Sequence, residues 1–99
     1  MARKKKEKFV SKYADDAIII NTKVLEIEEQ NVQYYDEKKN KYRFKSVFYC
    51  ASSSGKPRMC VSWDRNTIQV GDEVQLKGRL NDDVFLVWSL LIMRRSSDV

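Results

Sequence analysis

The clearest strand pattern in the sequence is GDEVQLKGRL, at residues 71–80. From Val74 onward, every second residue is apolar or glycine, and the residues between them are polar or charged. This alternation predicts a β-strand with one buried face and one solvent face. Turn residues follow at 81–83, and residues 84–93 form an apolar run. We therefore predict a second strand there that is buried on much of both faces.

Three more strands are predicted upstream, because alternating or apolar segments are separated by turn residues. Residues 17–28 are predicted to form one long, bent first strand with a bulge near 21–23, and the polar residues 30–40 to form a loop. Residues 42–50 and 59–63 are predicted as the second and third strands. Five strands with short connections and no amphipathic helix close most economically into a small antiparallel barrel.

Because successive side chains of a strand point to opposite faces, the even or odd position of a residue predicts whether it belongs to the core. The even positions of the second strand are apolar apart from Ser46, so they are expected to face the barrel interior, and the odd positions to face solvent. The aromatic residues assigned to the core are Phe44, Phe48, Trp63 and Trp88. Cys50 and Cys60 are predicted to be reduced structural thiols on strands, since no secretion signal accompanies them.

The composition predicts one soluble domain. The chain has 99 residues, of which 42% are hydrophobic, and a domain of this size needs a dense core. No apolar stretch reaches the roughly 18–20 residues that span a bilayer, and no apolar segment follows the charged N-terminus. We therefore predict an intracellular protein, cytoplasmic or nuclear, with no membrane partner. With no histidine and only two cysteines, the sequence predicts no metal site and no cofactor.

Three regions are predicted along the chain: a flexible basic tail at residues 1–12, a barrel at 13–95 and a frayed end at 96–99. The tail holds six bases and one acid, and like charges side by side repel and offer nothing to bury. Such a tail could serve only for solubility, or it could contact phosphates or act as an import signal.

The net charge of +5 is unevenly distributed. Residues 13–37 hold seven acids and one base, whereas residues 38–58 hold seven bases and no acid. This segregation predicts a directional basic surface rather than a general affinity for polyanions.

Several segments resemble OB-fold domains. Residues 71–80 are similar to the G-D-x-V-x-V-x-G-x-L segment typical of the fourth OB strand. Residues 47–55 resemble the end of the second strand and its turn in the replication protein A class, with Ser52 in place of the usual Asp. The pattern M-x-V-x-W at residues 59–63 is similar to the third strand of that class, one residue shorter, and residues 85–92 match its apolar fifth strand.

The resemblance covers residues 17–93 and implies a five-stranded OB-type barrel. In such barrels the second and third strands, with the loops after strands one and four, form the ligand face. Single strands are held there by phosphate neutralisation and by stacking of bases on aromatic rings. The missing helix between strands three and four departs from the commonest OB pattern and leaves an SH3-like barrel as an alternative.

The candidate site residues surround the second strand. Arg43, Lys45 and Tyr49 project from its odd face, and Tyr49 is the preferred stacking residue. The remaining candidates are Tyr34, Tyr35, Lys38, Lys39, Lys41, Lys56 and Arg58. We predict that this basic and aromatic surface, together with the basic tail, binds single-stranded nucleic acid, either DNA or RNA. The same bases could instead only protect strand edges from aggregation.

Enzymatic chemistry is not predicted, and neither is a small-molecule substrate. The chain has no histidine to act as a general base near neutral pH, and its three glycines form no phosphate-binding loop. The alternative function is a protein-interaction OB subunit of a replication- or telomere-type complex. The acidic first strand and the apolar fifth strand would then supply the surface for a protein partner.

Overall fold

Five strands build the part of the chain that the computed structural model describes, residues 17–96. They are β1 (Ile18–Asp36), β2 (Lys41–Cys50), β3 (Arg58–Ser62), β4 (Glu73–Asn81) and β5 (Val84–Arg94). Their order is β1-β2-β3-β5-β4, and pairing of β4 with β1 closes the barrel. This is the predicted OB-type barrel. The predicted tail at residues 1–12 lies outside the described residues.

One strand pair differs from the antiparallel arrangement that the sequence predicted. β3 and β5 run parallel, with Met59 beside Val84 and Ser62 beside Val87. The prediction was wrong here because it treated every connection as a link between neighbouring strands. β5 instead lies between β3 and β4 in the barrel, and a tight turn at Asp82 leads from β4 back into β5.

β1 is longer than predicted, because residues 30–36 belong to it and not to a loop. Its first six residues pair with β4, and from Val24 to Asp36 it pairs with β2. Only residues 37–40 turn the chain. The polar segment was misassigned because this end of β1 has no buried face and therefore shows no hydrophobic alternation.

The bend in β1 also lies further along the chain than the predicted position near 21–23. The register with β2 shifts after Val24, after Ile27 and again between Glu29 and Val32. At the last of these bulges Asn31 has a φ of 55°, a left-handed conformation that asparagine tolerates better than most residues. Bulges sharpen the twist of a strand, and they let β1 serve two sheet partners in succession.

The core follows the predicted parity in β2 and β4 and departs from it in β3. Phe48 and Cys50 are fully buried, as predicted. In β3 the inward residues are Cys60 and Ser62, so the predicted inward face of this strand was the wrong one. The error arose because both faces of β3 are covered, so the more apolar face, with Met59 and Val61, is not the inward one. Both cysteines are free thiols in the structure.

Three of the four aromatic residues assigned to the core lie elsewhere. Trp63 is half-buried after the end of β3, and Phe44 is half-buried where β2 leaves the barrel. Trp88 is 39% exposed because it is the extra residue of a β-bulge between the pairs Val87–Gly78 and Ser89–Lys77. The outer face of β5 is also more exposed than predicted, since Leu91 and Met93 are open to solvent.

Gly78 makes this bulge possible. A Cβ atom at this position would overlap with the carbonyl oxygen of Leu86 on β5, and that backbone atom cannot move aside cheaply. The glycine therefore allows β4 and β5 to approach each other where the extra residue turns Trp88 outward.

The connection between β3 and β4 lies along the edge of β1. Backbone bonds join Val24 to Gly71 and Asp72 at 2.8 and 2.9 Å, and Ile68 is buried in the core. The fully buried Asp72 accepts hydrogen bonds from the backbone of Gln69 and from Ser96, a residue that the sequence placed in a frayed end. This connection contains no helix, and none of residues 17–96 lies in a helix that could cross a membrane.

Candidate nucleic-acid interface

The end of β1 and the start of β2 form a two-stranded arm, defined as residues 32–45. β2 pairs with β3 only from Ser46 onward, and β1 pairs with β4 only as far as Lys23. In the arm the two strands therefore pair only with each other, and the turn at residues 37–40 forms its tip. Seven of the ten predicted site residues lie on this arm: Tyr34, Tyr35, Lys38, Lys39, Lys41, Arg43 and Lys45.

The arm has two faces with different chemistry. Residues directly opposite each other in an antiparallel pair share a face. The first, which we call the basic face, carries the pairs Val32–Lys45, Tyr34–Arg43 and Asp36–Lys41. The second, which we call the aromatic face, carries the pairs Tyr35–Tyr42 and Gln33–Phe44. Because Tyr34 and Tyr35 are adjacent on one strand, they lie on opposite faces.

Asp36 neutralises part of the basic face. Its carboxylate lies 3.6 Å from the Arg43 guanidinium and accepts hydrogen bonds from the backbone N–H groups of Lys38 and Lys39. Burial alone would raise the pKa of Asp36, but these bonds and the guanidinium together hold it below its usual value. Lys41 and Lys45 are exposed, and neither makes an ion pair within the described residues. These two lysines are therefore the available cations of the basic face.

Tyr49, the predicted stacking residue, lies on the barrel beside acids. It pairs with Glu26, and its hydroxyl donates a hydrogen bond of 3.0 Å to Oε1 of Glu28, which raises the pKa of Tyr49. The acid-free segment from 38 to 58 is thus set against the acidic part of β1. Net charge along the sequence did not reveal this contact, because it depends on the register of two strands.

Of the residues on the aromatic face, only Tyr35 was predicted as a site residue. Tyr42 is 62% exposed and Tyr35 is 46% exposed, with ring centroids 5.1 Å apart and an interplanar angle of 73°. The Tyr35 hydroxyl donates a hydrogen bond to Oδ1 of Asn40 in the turn. At the base of this face the guanidinium of Arg65 lies 4.9 Å from the centroid of the Phe44 ring. Sequence parity assigned Tyr42 and Phe44 to the interior, since they continue the inward positions of β2.

A polar network fixes the base of the arm. The buried Ser46 hydroxyl accepts hydrogen bonds from the backbone of Asn31 and from the side chain of Asn66, at 2.9 and 3.0 Å. The Asn31 side chain in turn bonds both the backbone N–H and the carbonyl of Asn66, and Gln30 donates to the Asn66 side chain. The bulge in β1 is thereby tied to the connection between β3 and β4.

The remaining predicted residues lie at the other end of β2. Lys56 and Arg58 border a shallow groove of about 300 Å³ with Pro57, Ser52 and Asp83. The structure therefore does not gather all ten residues into one patch. No group of three metal-binding side chains occurs among residues 17–96.

The barrel is similar to a solved structure, the SSB domain of a protein from Synechococcus. The two share 19% sequence identity with a TM-score of 0.52, over 76% of this chain and 92% of that domain. At this identity the likeness shows the fold. No family model and no curated protein matches the chain.

Proposed function

We propose that this protein binds single-stranded nucleic acid, DNA or RNA, through the arm and the adjoining surface of the barrel. The observation that carries the proposal is the combination of available cations and tyrosine rings on a narrow arm of an OB-type barrel. Lys38 and Lys39 lie at the tip, Lys41 and Lys45 lie on the basic face beside Tyr34, and the tyrosines supply flat surfaces for unpaired bases. A solved structure that is similar to this barrel is an SSB domain, and the protein requires no catalytic chemistry for such a role.

Single strands fit the arm better than a duplex does. Stacking on a tyrosine needs a base whose face is free, and in a duplex that face is covered by the neighbouring base pairs. We therefore expect a short oligothymidine to bind roughly tenfold or more tightly than a duplex of the same length. Competition measured by fluorescence anisotropy tests this, and equal affinity for the duplex would contradict the proposal.

The basic face is tested by removing its two available charges. Lys41→Gln with Lys45→Gln should weaken binding of oligothymidine roughly five- to tenfold at low salt, because two phosphate contacts are lost. Arg43 is left intact, since its ion pair with Asp36 already neutralises its charge. The matched control is Lys23→Gln with Lys77→Gln, which removes the same charge from exposed positions on β1 and β4. If both double variants weaken binding equally, net charge and not the arm is responsible.

One surface favours the second function, that of a protein-interaction subunit. Ile19, Leu91 and Met93 are exposed apolar side chains on β1 and β5, away from the arm. Size-exclusion chromatography with light scattering, with and without oligothymidine, separates the two functions. Self-association that Leu91→Ser abolishes, together with no binding of oligothymidine, would favour the protein-interaction role.

A further inference from the structure

The exposed tyrosine pair on the arm is not explained by the stability of the hairpin alone. A cross-strand aromatic pair contributes roughly 0.2–1 kcal/mol, and these two rings meet edge to face. Tyr42 nevertheless leaves 62% of its surface in solvent. The Tyr35 ring lies against the Tyr42 ring, so the pair presents a contiguous aromatic surface.

We propose that the unpaired bases of a bound strand stack on the aromatic face of the arm, with Tyr42 as the main platform, Tyr35 beside it on the paired strand and Arg65 at the base of the face. The inference rests on the proposed function and deepens it, because it assigns bases and phosphates to different parts of the arm. It also moves the principal stacking position away from Tyr49.

The two candidate stacking residues, Tyr42 and Tyr49, have neighbours of opposite charge. The aromatic face consists of Gln33, Tyr35, Tyr42 and Phe44, with the guanidinium of Arg65 against the Phe44 ring, and it includes no carboxylate. Tyr49 lies beside Glu26 and is bonded to Glu28. A base carries its phosphates with it, so a strand stacked on Tyr49 would bring negative charge towards two acids. A strand on the aromatic face meets a cation instead.

The tip of the arm adds phosphate contacts to those of Lys41 and Lys45 on the basic face. Lys38 and Lys39 lie in the turn between the two faces, and both side chains are exposed. Long lysine side chains at a turn can reach phosphates on either side of a two-stranded arm. Bases on the aromatic face and phosphates at the tip are therefore compatible with one bound strand. Arg65 would engage the next part of that strand by stacking or by charge.

The test compares two ligands that differ only in their bases: an oligothymidine and an abasic strand of the same length. Tyr42→Ala should weaken binding of oligothymidine roughly five- to 150-fold, the loss expected for one stacked base, and leave binding of the abasic strand unchanged. Tyr42→Phe should bind oligothymidine as the original protein does, because it keeps the ring. Tyr42→Leu keeps an apolar contact for Tyr35 but no aromatic face, so it should behave like the alanine variant.

Tyr49→Ala is the control on the other side of β2 and should change affinity for oligothymidine less than threefold, on the order of the smallest stacking effects. The inference is overturned if Tyr42→Ala keeps full affinity for oligothymidine, or if it weakens both ligands equally through damage to the arm. It is also overturned if Tyr49→Ala causes the larger loss. In each of those cases the original protein still binds oligothymidine and the proposed function stands. If the original protein binds neither ligand, the proposed function itself fails.

Discussion

At the scale of single residues, Asp72 shows how a charged side chain can organise the inside of a small domain. It is fully buried, and its carboxylate accepts hydrogen bonds of 2.8 Å from Gln69, 2.7 Å from Ser96 and 3.0 Å from the guanidinium of Arg95. Burial alone would raise the pKa of Asp72, but these donors outweigh it and hold the pKa below its usual value. A carboxylate in this situation stabilises the fold only in its ionised form.

This bonding predicts a specific dependence of stability on pH. Because the folded-state pKa lies below the unfolded value of about 3.9, the contribution of Asp72 is complete above that value and is lost as the pH falls through the folded-state pKa. Asp72→Asn should lower the free energy of unfolding at neutral pH by about 1.5–3 kcal/mol, the usual worth of hydrogen bonds to a charged group.

Urea unfolding at about pH 7 and about pH 3 measures both effects. The variant should be less stable than the original protein at the higher pH, and the difference should shrink at the lower one. Asp64→Asn, at an exposed position on the same connection, should have little effect at either pH. A difference for Asp72→Asn that stays constant between the two pH values would show that the charge itself does not matter.

At the scale of elements, the sequence predicted the strands that have one buried face and failed for the arm. β4 alternates because water lies on one side and the core on the other, and Val74 and Leu76 are buried accordingly. The arm has solvent on both sides, so the sequence around Gln33, Tyr34 and Tyr35 shows no alternation of apolar and polar residues that could identify a strand. The candidate lysines and arginines could be predicted from composition, but their division between two faces required the register of β1 with β2.

From the network at the base of the arm we predict that Asn66, which lies outside the arm, stabilises the conformation of the arm. Asn66→Ala removes the side-chain bonds to Ser46 and Gln30, which should cost about 1–3 kcal/mol. Hydrogen exchange of the backbone amides in residues 32–45 should become faster, and affinity for oligothymidine should fall, although Asn66 belongs to neither face of the arm. The control, Asn21→Ala, removes an exposed side-chain bond to Gln75 on the barrel and should leave the arm unchanged. Unaltered exchange in the Asn66 variant would mean that the arm is held by strand pairing alone.

At the scale of the whole molecule, charges that are separated along the sequence meet in space. The acids of β1 lie against the central part of β2, which confines the effective basic surface to the arm and to the groove near Lys56. The basic residues at 1–8 add a further net charge of +4 by sequence. Binding through such charges is screened by salt, whereas stacking is scarcely affected.

Deleting residues 1–8 should therefore change the salt dependence more than it changes binding at high salt. If about four to six phosphates are neutralised, log K should fall with log salt at a slope of roughly −3 to −4 for single strands. The deletion should make that slope shallower by roughly one to three units, while residual binding persists. Anisotropy titrations over a range of salt concentrations measure both quantities. Complete loss of binding would place the nucleic-acid site in the tail and exclude the arm.

The parallel pair of β3 and β5 also determines how the chain can fold as it is synthesised. The two strands of the arm are close in sequence, so this hairpin can form early. The edge of β3 that faces away from β2 stays unpaired until β5 is available. β5 follows every other strand of the barrel in the sequence. Until β5 has left the ribosome, the nascent chain exposes an unpaired edge and an open apolar interior, which are the features that chaperones recognise and that lead to aggregation. Pulse-labelled hydrogen exchange during refolding should accordingly protect the arm amides before those of β3.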